Sequence, residues 1–420
     1  MPISTRAVIE GHLDSPIRKM FNLGKKLIQE GKNPIDVSLG NSFTEVFPES
    51  FYNAFEKNYL KSKKSRPEER FHGYMQNPGF VEVREKIAEW LMKNNIYKNI
   101  NSSEIIMTHG ACGGINVILK TLIEPIVFYD QPSWKFEIKN KEPDEVIILA
   151  PYFVEYIAYI GNNQGKPVIV KTDDNFNLNI KEIEKAINKN TKAIILNTPN
   201  NPTGIIYSEE SINELKILLG KKQKELGIDI YTIEDIPYWD LNYKDSPPPL
   251  IAPKYKNSFV VYSWSKSLGL AGERIGFISF NPEITDGQEN VFYGLNRYHR
   301  NWFVNANAFM QRIVGEIVGT TIDIELYRKK RDKIYNKLIE LGFKVNKPDG
   351  AFYFFPEIPE KFESPEEFIK LALEGDDPLL YTPGEGFGKG YERFLRISYC
   401  TDNNTIDRAL NKLEKICKKI

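Results

Sequence analysis

Ser263-Trp264-Ser265-Lys266-Ser267-Leu268-Gly269-Leu270-Ala271-Gly272-Glu273-Arg274-Ile275-Gly276 is the stretch on which the reading of this chain turns. Two largely apolar runs flank it, Phe259–Ser263 and Ile275–Phe280. Runs that are hydrophobic at consecutive positions are expected of strands buried on both faces of a sheet. The first strand ends at a serine-rich turn that holds one lysine, and an arginine follows eight residues later. A lysine amine whose ammonium pKa is lowered by burial or by cationic neighbours can form an imine with an aldehyde. Hydroxyls and a guanidinium beside it suit a phosphate dianion. Taken alone, Ser-x-Ser-Lys is more often a solvated loop than a site.

The same alternation continues outward. Further strands are expected at Glu104–Thr108, Glu145–Ala150, Pro167–Val170, Ala193–Asn197 and Asp229–Ile233, with helices between several of them, such as Gly79–Asn95 and Glu209–Glu225. In Gly79–Asn95, Val81, Val83, Ile87, Leu91 and Met92 form an apolar stripe, while Glu82, Arg84 and Glu85 face elsewhere. Alternating strands and helices predict an α/β sandwich with a mostly parallel sheet. Towards the end the character changes. A charged helix, Thr321–Leu341, precedes short strands at Phe343–Asn346 and Ala351–Phe355; a helix Glu366–Glu374, a strand Phe394–Ser398 and a closing helix Thr405–Lys419 follow. The expected organisation is an N-terminal segment (1–50) joining the small domain, a large domain (51–310) and a smaller α+β domain (311–420). Pro125–Pro143, aromatic and charged without a period, reads as an inserted loop.

Two more motifs follow apolar strands. Asn197-Thr198-Pro199-Asn200-Asn201-Pro202-Thr203-Gly204 places amides where α/β proteins bind ligands, and it is equally an ordinary turn. In Glu234-Asp235-Ile236-Pro237-Tyr238, Asp235 is either a site carboxylate or a helix N-cap.

Composition narrows the function. The 420 residues are 41% hydrophobic and 12% aromatic, enough for a large core and more than one domain. Fifty-six basic residues balance fifty-six acidic ones, which argues against nucleic-acid binding by bulk charge. Three cysteines suit a reducing cytoplasm and give no disulfide framework, and four histidines show no zinc-like spacing, so no metal is expected. No signal or membrane-spanning segment is expected: the N-terminus lacks an apolar core, and the run Val146–Ile160 is short and contains Pro151 and Glu155.

Together the three motifs resemble the fold-type I pyridoxal-phosphate enzymes, specifically the class I/II aminotransferases related to aspartate aminotransferase. The family pattern of Asn-Pro-x-Gly, Asp-x-x-Tyr, Ser-x-Ser-Lys with its following arginine, and a late Arg-x-Ser occurs here in order, the last as Arg396-Ile397-Ser398. Tyr74-Met-Gln-Asn-Pro-Gly79, Thr108-His-Gly-Ala-Cys112, Pro151-Tyr-Phe-Val-Glu-Tyr156 and Gly350-Ala-Phe-Tyr-Phe-Phe-Pro356 also resemble family segments. The resemblance runs from about Val37 to the C-terminus. It implies a large domain whose mostly parallel seven-stranded sheet is sandwiched by helices, with a smaller α+β domain.

The resemblance also implies roles. Lys266 would hold pyridoxal 5'-phosphate as an imine and later move a proton. Asp235 would face the pyridine nitrogen, Tyr238 and Asn201 the phenolic oxygen, and Phe153 the ring face. Ser263, Ser265, Arg274 and the backbone N–H groups of Gly110, Ala111 and Cys112 would bind the phosphate, joined by Tyr74 from the neighbouring subunit of a homodimer. Arg396 would clamp the substrate carboxylate, with Gly40 and Asn201 beside it. The implied reaction passes an amino group from an α-amino acid to a 2-oxo acid in a ping-pong cycle. Elimination, decarboxylation or oxidation on the same apparatus is the alternative, and a non-catalytic cofactor-binding regulator the remote one. Such regulators usually carry a helix-turn-helix module, and no such pattern precedes the match. Some aspartate-using relatives carry lysine at the position of Cys112. Cysteine there points to a broad or hydrophobic-tolerant donor range with glutamate/2-oxoglutarate as one pair. Aspartate would need Arg297, Arg300 or another cation.

Overall fold

Val146, Ile147, Ile148 and Leu149 are all buried, as are Ala193 to Asn197, because each strand packs side chains against both faces of one sheet. The computed structural model describes residues 15–40, 47–69, 71–130, 135–138 and 142–419. Its strands, in chain order, are β1 (Ile35–Asp36), β2 (Ile105–Thr108), β3 (Val127–Asp130), β4 (Lys135–Ile138) and β5 (Glu145–Ala150). There follow β6 (Lys166–Lys171), β7 (Thr191–Asn197), β8 (Tyr231–Asp235), β9 (Ser258–Ser263) and β10 (Gly276–Phe280). The last four are β11 (Tyr353–Phe354), β12 (Leu379–Leu380), β13 (Thr382–Pro383) and β14 (Leu395–Ser398).

Seven of them form the main sheet in the order β2-β10-β9-β8-β7-β5-β6. Every pair is parallel except the two made by β10, which runs antiparallel to β2 and β9. Side-chain alternation feeds two cores. Ile147, Leu149, Ile194 and Leu196 meet the helix Glu209–Leu226 through Ile212, Leu215 and Leu219. Val146, Ile148, Ile195 and Val261 meet the helix Gly110–Leu122 on the other face. The α/β sandwich expected from the sequence is the observed fold.

Several local expectations need correction. The strand placed at Asp229–Ile233 begins at Tyr231, because the Ile230 N–H is taken by the Gln223 side chain. Asp235 therefore closes β8 and caps no helix. In the helix Val81–Lys93, Arg84 is buried and Val81 is 39% exposed. The Arg84 guanidinium turns inward to donate to the carbonyls of Gly79 and Ser102, groups that no ladder satisfies. Phe343–Asn346 makes only a bridge, Lys344 to Glu357, because Asp349 and Gly350 turn away to bond the Gly204 carbonyl. Pro125–Pro143 holds an antiparallel hairpin, β3 with β4, in place of a loop. A hairpin that stands apart from the main sheet needs no apolar face on the core, so periodicity gave no sign of it. Residues 131–134 and 139–141 of this insertion, and 1–14 and 41–46 of the N-terminal segment, lie outside the described residues.

The last part of the chain builds a three-stranded antiparallel sheet, β11-β14-β13. β1 pairs in parallel with β12, and Ile35 and Val37 join one apolar cluster with Ile334, Phe352, Phe368, Ile397 and Leu413.

Candidate active site

The parallel strands β7, β8 and β9 end side by side at Asn197, Asp235 and Ser263, at the sheet edge where α/β folds place their ligands. Asn197 pins the corner. Its Nδ2 donates to the Asp235 carbonyl at 2.8 Å, and its Oδ1 accepts the Asn201 N–H at 2.8 Å. Asp235 is buried, and Oδ2 accepts the Tyr156 hydroxyl at 2.5 Å. Oδ1 has no hydrogen-bond partner among the described residues. Burial pushes the Asp235 pKa up to about 7, against the Tyr156 hydrogen bond and the positive charge of Lys266.

Lys266 lies on the one-turn helix Trp264–Ser267 directly after β9. Its Nζ donates to the Gly40 carbonyl at 2.5 Å and stands 5.9 Å from the Tyr238 ring centroid and 5.7 Å from that of Phe352. Burial lowers its pKa to about 8; the charges of Arg396 and Arg274 act in the same direction, those of Cys400 and Asp235 against it. Tyr238, fully enclosed, shares a hydrogen bond with Tyr353, hydroxyl to hydroxyl at 3.0 Å.

The arginine of the late motif reaches the same place from β14. Arg396 is 1% exposed; Nη1 donates to Asn201 Oδ1 at 2.9 Å, and Nη2 to the Ser38 carbonyl at 2.6 Å and to Thr382 Oγ1 at 3.3 Å. Its Nε has no partner among the described residues. Gly40 completes this wall. A Cβ there would stand 1.9 Å from the Tyr353 hydroxyl, so a larger residue does not fit.

A second cluster lies beyond the lysine. The Ser263 and Ser265 hydroxyls are 2.8 Å apart, and Arg274 Nη1 lies 3.5 Å from Ser265 Oγ and 2.8 Å from the Ala271 carbonyl. Gly110 opens the helix Gly110–Leu122, and Ala111 and Cys112 follow in its first turn. Gly110 has φ +67°, and a Cβ there would crowd Arg274 Nη2 at 2.9 Å. Phe153 is partly buried and meets Tyr156 edge-on at 5.6 Å. Cys112 is exposed, in a groove of about 440 Å³ with His109, Asn116, Arg274, Trp302 and Phe303. Arg297 and Arg300 are exposed on the helix Gln288–Phe303. Tyr74 is 90% exposed, so within one chain it packs against none of the others.

Reading the sequence missed the roles of Tyr156, Tyr353, Ser38, Thr382 and Asn197. Tyr156, Tyr353 and Asn197 sit inside motifs quoted above, but a hydroxyl or amide gains its meaning only from the partner it meets.

The residues fit pyridoxal phosphate. An unpartnered, buried carboxylate oxygen awaits a protonated nitrogen. A pair of serines, an arginine and a helix N-terminus face one another without a Cβ at Gly110 to fill the space. A lysine of lowered pKa feels the charges of both Asp235 and Arg274.

The sequence profile of the family described as aminotransferase class I and II matches residues 53–413. A probable aspartate aminotransferase of Methanocaldococcus jannaschii is 29% identical over 96% of both chains. A probable N-acetyl-LL-diaminopimelate aminotransferase of Bacillus subtilis is 29% identical over 95% of this chain and 92% of its own. Among solved structures, an amino transferase from Eubacterium rectale superposes with TM-score 0.87 and 32% identity, covering 100% of this chain and 99% of its own. Sequence and fold agree along nearly the whole length, and the chain belongs to the class I and II aminotransferases, a family of pyridoxal-phosphate-dependent enzymes.

Proposed function

We propose that this aminotransferase binds pyridoxal phosphate on Lys266 and passes amino groups from a broad set of α-amino acids to 2-oxo acids, with glutamate and 2-oxoglutarate as one pair. The observation that carries this reading is the convergence, at one edge of the main sheet, of Asp235 at the end of β8 and Lys266 just after β9 with Arg396 from β14 of the separate three-stranded sheet. When bound, the cofactor supplies an aldehyde to take up the amino group and an electron-poor ring to accept the electrons of the Cα–H bond.

The chain's own residues do the rest. With its pKa near 8, roughly one tenth of Lys266 is neutral at pH 7, enough to act as a nucleophile and as the base that moves the Cα proton. Asp235 Oδ1 would hold the ring nitrogen protonated. Tyr238 and Asn201 would donate to the phenolic oxygen, and Phe153 would cover the ring. Ser263, Ser265, Arg274 and the N–H groups of Gly110, Ala111 and Cys112 would bind the phosphate. Arg396 would clamp the substrate carboxylate beside Gly40 and Asn201, a fork-to-fork contact that lysine makes less well.

Tyr74 is proposed to reach the phosphate of the second protomer in a homodimer, which accounts for a tyrosine so exposed in one chain. The domain limits 51–310 and 311–420, with the N-terminal segment docked on the small domain, are supported by the β1–β12 pairing and by the cluster that Ile35 and Val37 join. A cytoplasmic location is supported by the sparse cysteines; no helix among the described residues is long and apolar enough to cross a membrane. The broad donor range is supported by the groove at Cys112, whose lining among the described residues holds no cation except Arg274.

Borohydride reduction of the loaded protein, followed by peptide mapping, is expected to label Lys266, and Lys266→Ala to abolish turnover. Label on another lysine overturns the assignment. A panel of twenty amino acids, read by the cofactor's spectral change, tests the donor. An aspartate preference of about a hundredfold, close to 3 kcal/mol, overturns the broad range.

A further inference from the structure

One buried hydroxyl beside Tyr238 and Gly40 is not among the groups assigned to cofactor or substrate. Tyr353, on β11, is 1% exposed, and its hydroxyl lies 3.0 Å from that of Tyr238. The same oxygen closes over Gly40, whose carbonyl receives Lys266. The face of the Tyr353 ring carries the Arg396 guanidinium, 4.6 Å from the centroid. One side chain thus touches the tyrosine assigned to the phenolic oxygen and the arginine assigned to the carboxylate.

We propose that Tyr353 is a positioning residue with two separable parts: its hydroxyl donates to Tyr238 and so aims the Tyr238 proton at the cofactor's phenolic oxygen, while its ring is the platform that orients Arg396. This rests on the roles given above to Tyr238 and Arg396. Each hydroxyl has one proton, so a Tyr238 that donates to the cofactor must accept from Tyr353. A hydroxyl that accepts one hydrogen bond becomes a stronger donor in the next. The anionic phenolic oxygen is thereby favoured, and the bound cofactor loses its proton at lower pH. Burial raises the pKa of both tyrosines, which keeps both protons in place. The ring's part follows from what Arg396 lacks. Its Nε is unpartnered among the described residues, and the rings of Tyr353 and Phe387, the latter 5.1 Å from the guanidinium, face it in place of a counter-charge.

The test compares the wild type with Tyr353→Phe, Tyr353→Leu and Tyr353→Met, all loaded with pyridoxal phosphate. Two quantities are read: the pH midpoint of the bound cofactor's visible absorbance, and kcat and KM for the amino acid of the twenty that the wild type uses fastest. Tyr353→Phe is expected to raise the midpoint by about half to one pH unit, the worth of one neutral hydrogen bond, and to lower kcat several-fold with KM within about twofold. Tyr353→Leu is expected to show the same midpoint shift and to raise KM about three- to tenfold besides. Tyr353→Met serves in its place if the leucine variant does not fold. A midpoint in Tyr353→Phe equal to or below that of the wild type overturns the hydroxyl's role, since Tyr238 would then donate to Tyr353. A KM in the leucine or methionine variant equal to that of Tyr353→Phe overturns the ring's role. Borohydride labelling of the wild type separates the two levels of failure. No label at Lys266 refutes the proposed cofactor site, whereas a labelled wild type with an unshifted Tyr353→Phe refutes only Tyr353.

Discussion

Glu234 and Asp235 are neighbours on β8 and point to opposite faces of the sheet. Both are buried, and burial raises both pKa values to about 7. Their surroundings differ. Both Glu234 oxygens accept backbone N–H groups, from Ile251 and Ala252, each at 2.8 Å. Among the described residues the Asp235 carboxylate holds one partner, Tyr156, and keeps an oxygen unused. A buried carboxylate with a shifted pKa is therefore not by itself a site; the unused acceptor, at the sheet edge and beside a lysine, distinguishes the two.

The largest effect is expected of Asp235→Ala. Its first half-reaction, followed by stopped-flow absorbance, should slow by about 10²–10³-fold or more, as when one preorganised charge is removed from a reacting centre. Stability of the cofactor-free protein should fall less than in Glu234→Ala, by about 1–2 kcal/mol, because only the buried Tyr156 hydroxyl loses its acceptor and no backbone N–H does. A near-normal rate would mean that another group holds the ring nitrogen. Glu234→Ala should show the converse. Two buried N–H groups lose their acceptor, for a loss of about 2–5 kcal/mol in urea unfolding, while turnover per folded molecule stays within about twofold. Equal stability losses in both variants would erase the distinction.

A smaller effect is expected of Tyr156→Phe. Without its hydroxyl Asp235 is protonated more readily, and the half-reaction should fall about tenfold, less than in Asp235→Ala. A rate equal to that of Asp235→Ala would show that the tyrosine, not the carboxylate, carries the effect.

The mildest test is pH. Each folded carboxyl keeps its proton to about pH 7, whereas in the unfolded chain it is lost near pH 4. Between those values the folded state binds more protons, so each group stabilises the cofactor-free protein fully below about pH 4 and loses that contribution as pH rises to 7. Glu234→Gln and Asp235→Asn should each flatten the fall of Tm with pH across this window. Cofactor loading should remove the Asp235 share and leave that of Glu234. Identical slopes in all three proteins would refute the pKa assignments.

Much of this site is legible in the chain, because strand ends and turns are written locally. The apolar run before Asn197 and the one before Ser263 place their motifs on the sheet edge, and Asn, Pro, Gly and Ser make the turns that follow. β8 starts two residues after the apolar run at Asp229 because a side chain, Gln223, intercepts the backbone of Ile230. Arg84 is buried against the periodic pattern because its guanidinium serves carbonyls outside its helix, Ser102 among them. The β3–β4 hairpin gave no periodic sign because its strands pair with each other and not with the main sheet.

What the amino-acid sequence determined by itself is the α/β alternation, the placing of Lys266, Asp235, Asn201 and Arg396 in recognisable motifs, and the absence of bulk charge. Only the tertiary structure decided the partners. Tyr156 and Asp235 are 79 residues apart, Tyr238 and Tyr353 are 115 apart, and Arg396 and Asn201 are 195 apart. Periodicity, turn chemistry and capping act across a few residues. Which hydroxyl meets which carboxylate depends on strand order and on how the late strand β14 packs against the edge of the main sheet. Those are outcomes of burying the two cores together, and no local pattern in the chain records them.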